Sequence, residues 1–144
     1  MSSAVQALFI EEGRSRSRVV VTDLKRTRLV QYAGASGDYN PVHSDHPFAV
    51  EAAGYPGVFA HVMLTMGLAA TVLTRWVGRE NLLEYGVRFR AQVWPGDTLT
   101  ATAVVERVWD DADGDGRRVQ FALTVDNQSG VAVLSGTATA RLEG

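Results

Sequence analysis

Asp38 and His43 are the two side chains of this sequence whose types and separation most readily do chemistry. They stand five residues apart in the stretch Tyr32-Ala-Gly-Ala-Ser-Gly-Asp-Tyr-Asn-Pro-Val-His43, with Ala49 six residues beyond the histidine. On a regular helix that separation would put them on different faces. Asn40 followed by Pro41, however, is the cap-then-proline order of a new helical turn, so the chain folds between them. A carboxylate and an imidazole can then converge on one small volume. His43 falls at the third position of that turn, where the positive end of the helix disfavours imidazolium and favours the neutral ring that accepts or relays a proton.

Such a pair is the equipment for adding water across an activated double bond. One group takes a proton from water and another delivers one to the carbon beside the carbonyl. An enolate-like transition state also needs N–H donors at the carbonyl oxygen, best supplied where a helix starts. The segment Phe59-Ala60-His61-Val62-Met63, at the head of a long apolar stretch, is the source the sequence offers. On residue types alone a second reading stands beside this one, in which Asp38 caps a turn and His43 is an ordinary, partly buried histidine.

The elements that must position these groups follow from period and punctuation. Val19-Val20-Val21 is β-branched and predicts a strand, after which Thr27 can cap a helix with an apolar stripe of Leu29, Val30, Tyr32 and Ala33, ended by Gly34 and Gly37. His46-Pro47 repeats the cap-then-proline order and predicts a short helix from about Pro47 to Ala53, stopped by Gly54. Val58 to Val77 is apolar almost all round at helix length, the pattern of a helix enclosed on most sides, with Gly78 as its stop. Tyr85–Val93, Thr98–Trp109, Arg117–Asp126 and Val131–Leu142 are rich in Val, Thr and Ala and separated by turn residues, which predicts antiparallel strands. The expected fold is α+β, an antiparallel sheet wrapped around one long central helix. Residues 1–17, polar and rich in Ser and Arg after an apolar patch, read as loose, and 18–144 as one domain.

Bulk composition removes several function classes. A chain of 144 residues has room for one core and one site, or half of one. With 46% hydrophobic and 21% charged residues and a net charge of -2, it carries no electrostatic footprint for nucleic acid. No cysteine is present, which excludes thiol nucleophiles, disulfides and cysteine-ligated metals. The start has no signal-peptide pattern and no apolar run reaches membrane-spanning length, so a cytoplasmic location is expected and the glycosylation match Asn127-Gln128-Ser129 carries no meaning.

The string Ser36-Gly-Asp-Tyr-Asn-Pro-Val-His43 with Ala49 resembles the hydratase 2 motif of the MaoC-like (R)-specific enoyl-thioester hydratases and 3-hydroxyacyl-thioester dehydratases. The likeness runs from about Val19 to Leu142 and includes Ala60-His-Val-Met-Leu and Phe89-Arg-Ala-Gln-Val-Trp-Pro-Gly-Asp97. It implies a single hotdog fold and a dimer, of identical chains or with a related hotdog subunit. It also implies reversible syn hydration of trans-2-enoyl thioesters on CoA or acyl carrier protein, in fatty-acid or polyketide metabolism and with no metal or organic cofactor. Asp38 and His43 take the places of the family dyad, and the Val62 N–H that of the oxyanion donor. Here the chain departs from the usual glycine, and a β-branched side chain both restricts the backbone and fills space beside the thioester. Some relatives carry a serine in the buried helix where this chain has Ala70. Asn40, Met63 and Met66 are the expected substrate contacts. Two rival readings are a non-catalytic hotdog partner of a catalytic homologue and, behind it, a thioesterase on the same fold.

Five further features read mainly as structural or solvated. His61 could be a metal ligand or second base, but no Asp, Glu or His stands at ligand spacing and it is expected to order the helix entrance. His46 reads as a cap or surface residue. Asp111-Ala-Asp-Gly-Asp-Gly116 mimics the first half of a calcium loop, yet the twelfth position, where that loop needs Glu, is Ala122, so a polar hairpin turn is expected. Leu68, Leu73 and Trp76 read as core. Arg88 and Arg90 share one strand face, solvated or against a carrier phosphate.

Overall fold

The computed structural model describes residues 10–114 and 116–142. Among these residues five strands, β1 (Ser15–Val21), β2 (Leu82–Phe89), β3 (Leu99–Asp110), β4 (Arg117–Asp126) and β5 (Ala132–Leu142), form one sheet in the order β1-β3-β4-β5-β2, antiparallel at every junction. Two helices, α1 (Arg26–Ser36) and α2 (Val62–Val77), lie between β1 and β2 in the chain, together with short turns at Pro41–His43, Phe48–Ala52 and Arg79–Asn81. This is the α+β hotdog arrangement.

The period of the strands explains the packing. Along β4 Val119, Phe121, Leu123 and Val125 alternate with half-exposed residues and are at most 1% exposed, and β3 repeats the pattern with Leu99, Ala101, Ala103 and Val105. That face closes on α2, which packs against β1, β2, β3 and β5. Trp76, 2% exposed, meets the Phe121 ring at 5.2 Å. The sheet covers one side of α2 only: Leu64, Ala69, Val72, Leu73 and Val77 are buried, whereas Met63 and Gly67 are exposed.

Several boundaries differ from the expectation, each for a local reason. The long helix begins at Val62, because the Ala60 N–H donates to the Val93 carbonyl at 2.8 Å and holds the preceding residues extended. The first helix begins at Arg26 with Lys25 at its cap, which places Thr27 inside the first turn, and Val30 is 57% exposed, outside the stripe of Leu29 and Ala33. The turn at Phe48–Ala52 is π-type, with Asp45 accepting from the Phe48 N–H at 3.5 Å in the place expected for His46. Residues 10–17, expected to be loose, are instead packed into the domain. Ile10 is 1% exposed, the Gly13 N–H reaches the Val105 carbonyl, and β1 pairs with β3 from Ser15 onward. Residues 1–9 lie outside the described residues, as does Asp115 within the expected hairpin turn, where the Asp111 N–H meets the Gly116 carbonyl and the Asp111 carboxylate pairs with Arg118 at 2.7 Å.

Two glycines give opposite expectations. A Cβ on Gly136 in β5 would lie 2.3 Å from the Gly86 carbonyl oxygen of β2, where neither backbone can yield. Gly136→Ala is therefore expected to lower the urea midpoint by a destabilisation of about 1–3 kcal/mol. Gly34 sits within α1 with nothing within 4 Å of the added carbon, so Gly34→Ala should raise the midpoint through a stabilisation of about 0.5–1 kcal/mol.

Candidate active site

The loop carrying Asp38 is held by a relay of short-range bonds. Gly37 takes a left-handed φ of 76° to end α1 and its N–H returns to the Ala33 carbonyl. The Asp38 N–H donates to Ser36 Oγ at 3.2 Å, the Asn40 N–H to Asp38 Oδ1 at 3.2 Å, and the Val42 N–H to Asn40 Oδ1 at 3.2 Å. Asp38 thus holds a turn while a carboxylate oxygen stays within 4.8 Å of a His43 ring nitrogen, so holding the turn does not take the carboxylate away from the cleft. Asn40 caps the turn as expected, and this occupies its carbonyl oxygen and leaves its amide for a ligand.

His43 closes that turn and is 9% exposed. Its Nδ1–H donates to the Phe59 carbonyl at 2.7 Å, which leaves the Nε2 lone pair as the free acceptor. The imidazole is held below its ordinary pKa of 6.5, first by burial and secondarily by His61, against the opposing pull of the Phe59 carbonyl and of Asp38. The neutral ring expected from the helix terminus is thus favoured mainly by desolvation. A chemical step that needs the neutral ring is lost as pH falls through a value below 6.5 and is flat above it. A pH profile of kcat/KM is expected to place its acid limb there, and a limb at or above 6.5 would contradict the assignment.

The sequence reads His61 as structural, and the fold brings it into the site. It is 2% exposed, donates through Nε2 to the Asp38 carbonyl at 3.1 Å, and stacks on His43 with ring centroids 3.8 Å apart. A carboxylate oxygen of Asp38 and one ring nitrogen from each histidine all lie within 4.8 Å of one another. These are ligand types that metals take, but the rings are stacked at 26° and their in-plane lone pairs run side by side instead of converging as tetrahedral coordination needs. The arrangement suits moving protons.

The three groups lie in a cleft of about 530 Å³ whose walls include Tyr32, Tyr55, Phe59, Val62 and Met63. Tyr32 and Tyr55 have no functional signal in the sequence, since an aromatic in a helical stripe and one before a proline both read as ordinary packing. Val62 is the first residue of α2, where main-chain N–H groups have no intrahelical acceptor. Its side chain is 43% exposed and its backbone helical, so the β-branch narrows the cleft without straining the chain. Met63 lines the cleft as expected, 54% exposed, but Met66 does not: it lies one turn on, with its carbonyl accepting from Tyr85 OH at 2.7 Å. Arg88 and Arg90 are exposed on β2 and just beyond it, with Arg90 Nε donating to Ser135 Oγ at 3.0 Å.

Known proteins share both sequence and shape with this chain. It is 34% identical over 108 residues to an enoyl-CoA hydratase of Mycobacterium tuberculosis, across 69% of this chain and 32% of that protein, so it spans about a third of that relative's length. It is also 34% identical over 98 residues to the (R)-specific enoyl-CoA hydratase of Rhodospirillum rubrum, across 67% of this chain and 66% of that one. The structure of the R-hydratase PhaJ1 from Pseudomonas aeruginosa superposes with a TM-score of 0.80 at 27% identity, covering 96% of this chain and 86% of the other. Residues 5–129 match the profile of the MaoC-like domain, and with that match over most of its length the chain belongs to the MaoC-like dehydratase family.

Proposed function

We propose that this chain catalyses the reversible addition of water to trans-2-enoyl thioesters of CoA or acyl carrier protein, yielding (R)-3-hydroxyacyl thioesters. The observation that carries this reading is the convergence of Asp38 and His43 in one cleft at the N-terminus of α2. His43 Nε2 and the Asp38 carboxylate hold a water between them. As its oxygen bonds to C3, the imidazole takes the proton, and the electron pair of the double bond moves onto the thioester oxygen. The Val62 N–H receives that oxygen at the positive end of α2. The proton held by the dyad then goes to C2, on the face from which water came, which makes the addition syn. Met63 and the amide of Asn40 border the bound acyl thioester.

The reading includes a dimer. Strand β2 lies at the sheet edge, with Leu83 43% and Phe89 39% exposed, and α2 leaves Val62 and Met63 exposed. A second hotdog, identical or related, covers such a surface. Among the described residues no helix is long and apolar enough to cross a membrane.

The test is the fall in enoyl-thioester absorbance when purified protein meets crotonyl-CoA and a longer 2-enoyl-CoA. Turnover of either, with an (R)-3-hydroxy product on chiral analysis, is the expected result. Release of free thiol from a saturated acyl thioester in place of hydration would move the reading to thioester hydrolysis.

A further inference from the structure

A second cavity, away from the catalytic cleft, collects three arginines. Residues of β1 alternate across the sheet, so Arg16 and Arg18 share a face, opposite Ser17. Together with Ser17 between them in the chain, and with Val72 and Arg75 of α2, they line a hollow of about 230 Å³. Arg75 lies thirteen residues beyond Val62, which at the helical rise is roughly 20 Å along α2 from the start of the catalytic cleft.

We infer that Arg16, Arg18 and Arg75 form a binding site for a phosphate group. Among the described residues no acidic side chain lines the hollow. Arg14 pairs with Glu11, Lys25 with Asp23 and Arg118 with Asp111, and among the described residues none of the three guanidiniums of the hollow shares a carboxylate. Arg16 lies over the Trp76 ring at 4.9 Å, which fixes its plane and leaves its N–H edge for a ligand. Arg18 Nε is buried and has no acceptor among the described residues. A buried charged donor without an acceptor is costly, and an anion with several oxygens is the partner that relieves it and offsets the mutual repulsion of the cluster. Arginine on an edge strand also discourages pairing with another sheet. That role explains neither the third arginine, which comes from the helix, nor the buried Nε.

Phosphate chemistry has two sources here, free inorganic phosphate or the phosphoryl groups of a nucleotide thiol carrier, and the second rests on the thioester reading above. Calorimetric titration of the whole chain with pyrophosphate, and separately with CoA, compares wild type with the Arg18→Gln/Arg75→Gln double variant at matched ionic strength. The expected result is binding by wild type that weakens about tenfold or more in the double variant, with unchanged circular dichroism. Weakening for CoA as well as pyrophosphate assigns the carrier, and weakening for pyrophosphate alone assigns free phosphate; both support the site. Equal binding by the two proteins, or none by wild type, overturns it. If hydration is also seen, the double variant should raise KM for crotonyl-CoA and leave crotonyl-pantetheine, which has no phosphate, unaffected. Phosphate binding without any hydration would leave this site standing and remove the catalytic reading instead.

Discussion

Asp38→Asn and His43→Ala are each expected to cut enoyl-thioester hydration by about 10²- to 10⁴-fold, the usual contribution of a positioned acid or base, while the melting temperature moves by only a few degrees. The size follows from the division of labour in the cleft. His43 presents a single free acceptor because its other nitrogen is committed to the Phe59 carbonyl, and alanine at that position leaves no group to take the proton from water. An asparagine in place of Asp38 would keep a carbonyl oxygen for the Asn40 N–H, so the turn survives, but it loses the charge that stabilises a developing imidazolium beside it. The two changes act on one unit, so the double variant should be little worse than the weaker single variant. The measurement is kcat/KM with crotonyl-CoA for all four proteins. Near-wild-type rates in either single variant would leave the dyad without its role and favour a non-catalytic subunit working with a catalytic homologue.

The strands whose buried residues alternate are legible in the sequence, with their turns marked by glycine, aspartate and asparagine: Arg117–Asp126 coincides with its expected range, and β3 and β5 differ from theirs by no more than one residue at either end. The edge strand β2 is not, since its exposure does not alternate: it runs from Leu82 to Phe89 where Tyr85–Val93 is expected. Helix starts are less legible, since they depend on partners far away in sequence. Nothing near Ala60 tells that its N–H will be taken by Val93, and so nothing local says that the apolar run from Val58 stays extended until His61. That Asp38 and His43 share a cleft can be read because the two residues and the Asn40-Pro41 break are close together in the chain. His61 cannot, being 23 residues from Asp38. The rule that dismisses it, no acidic or histidine partner at ligand spacing, is a rule about neighbours in sequence, and the fold supplies those partners in space.

That placement makes His61 the subject of the second large effect. His61→Phe keeps the buried ring against His43 and Tyr32 but removes the donor to the Asp38 carbonyl. An orphaned carbonyl and a loosened loop cost about 1–3 kcal/mol, which in a rate is about 5- to 150-fold in kcat if the loop must hold Asp38 in register with His43. His61→Gln offers an N–H to the same carbonyl and should recover part of that loss. A purely structural histidine would give the same order of rates through stability alone, so a second readout is needed. His61 helps to hold the His43 pKa down, and its removal lets that pKa rise toward the ordinary 6.5. The acid limb of kcat/KM should therefore move to higher pH in both variants, so that at mildly acidic pH they lose more activity than at pH 8. This makes His61 a positioning residue that acts through Asp38 and His43. Rates and limb both unchanged in His61→Phe, with the protein folded, would show that the stack on His43 and the bond to Asp38 hold nothing the reaction uses.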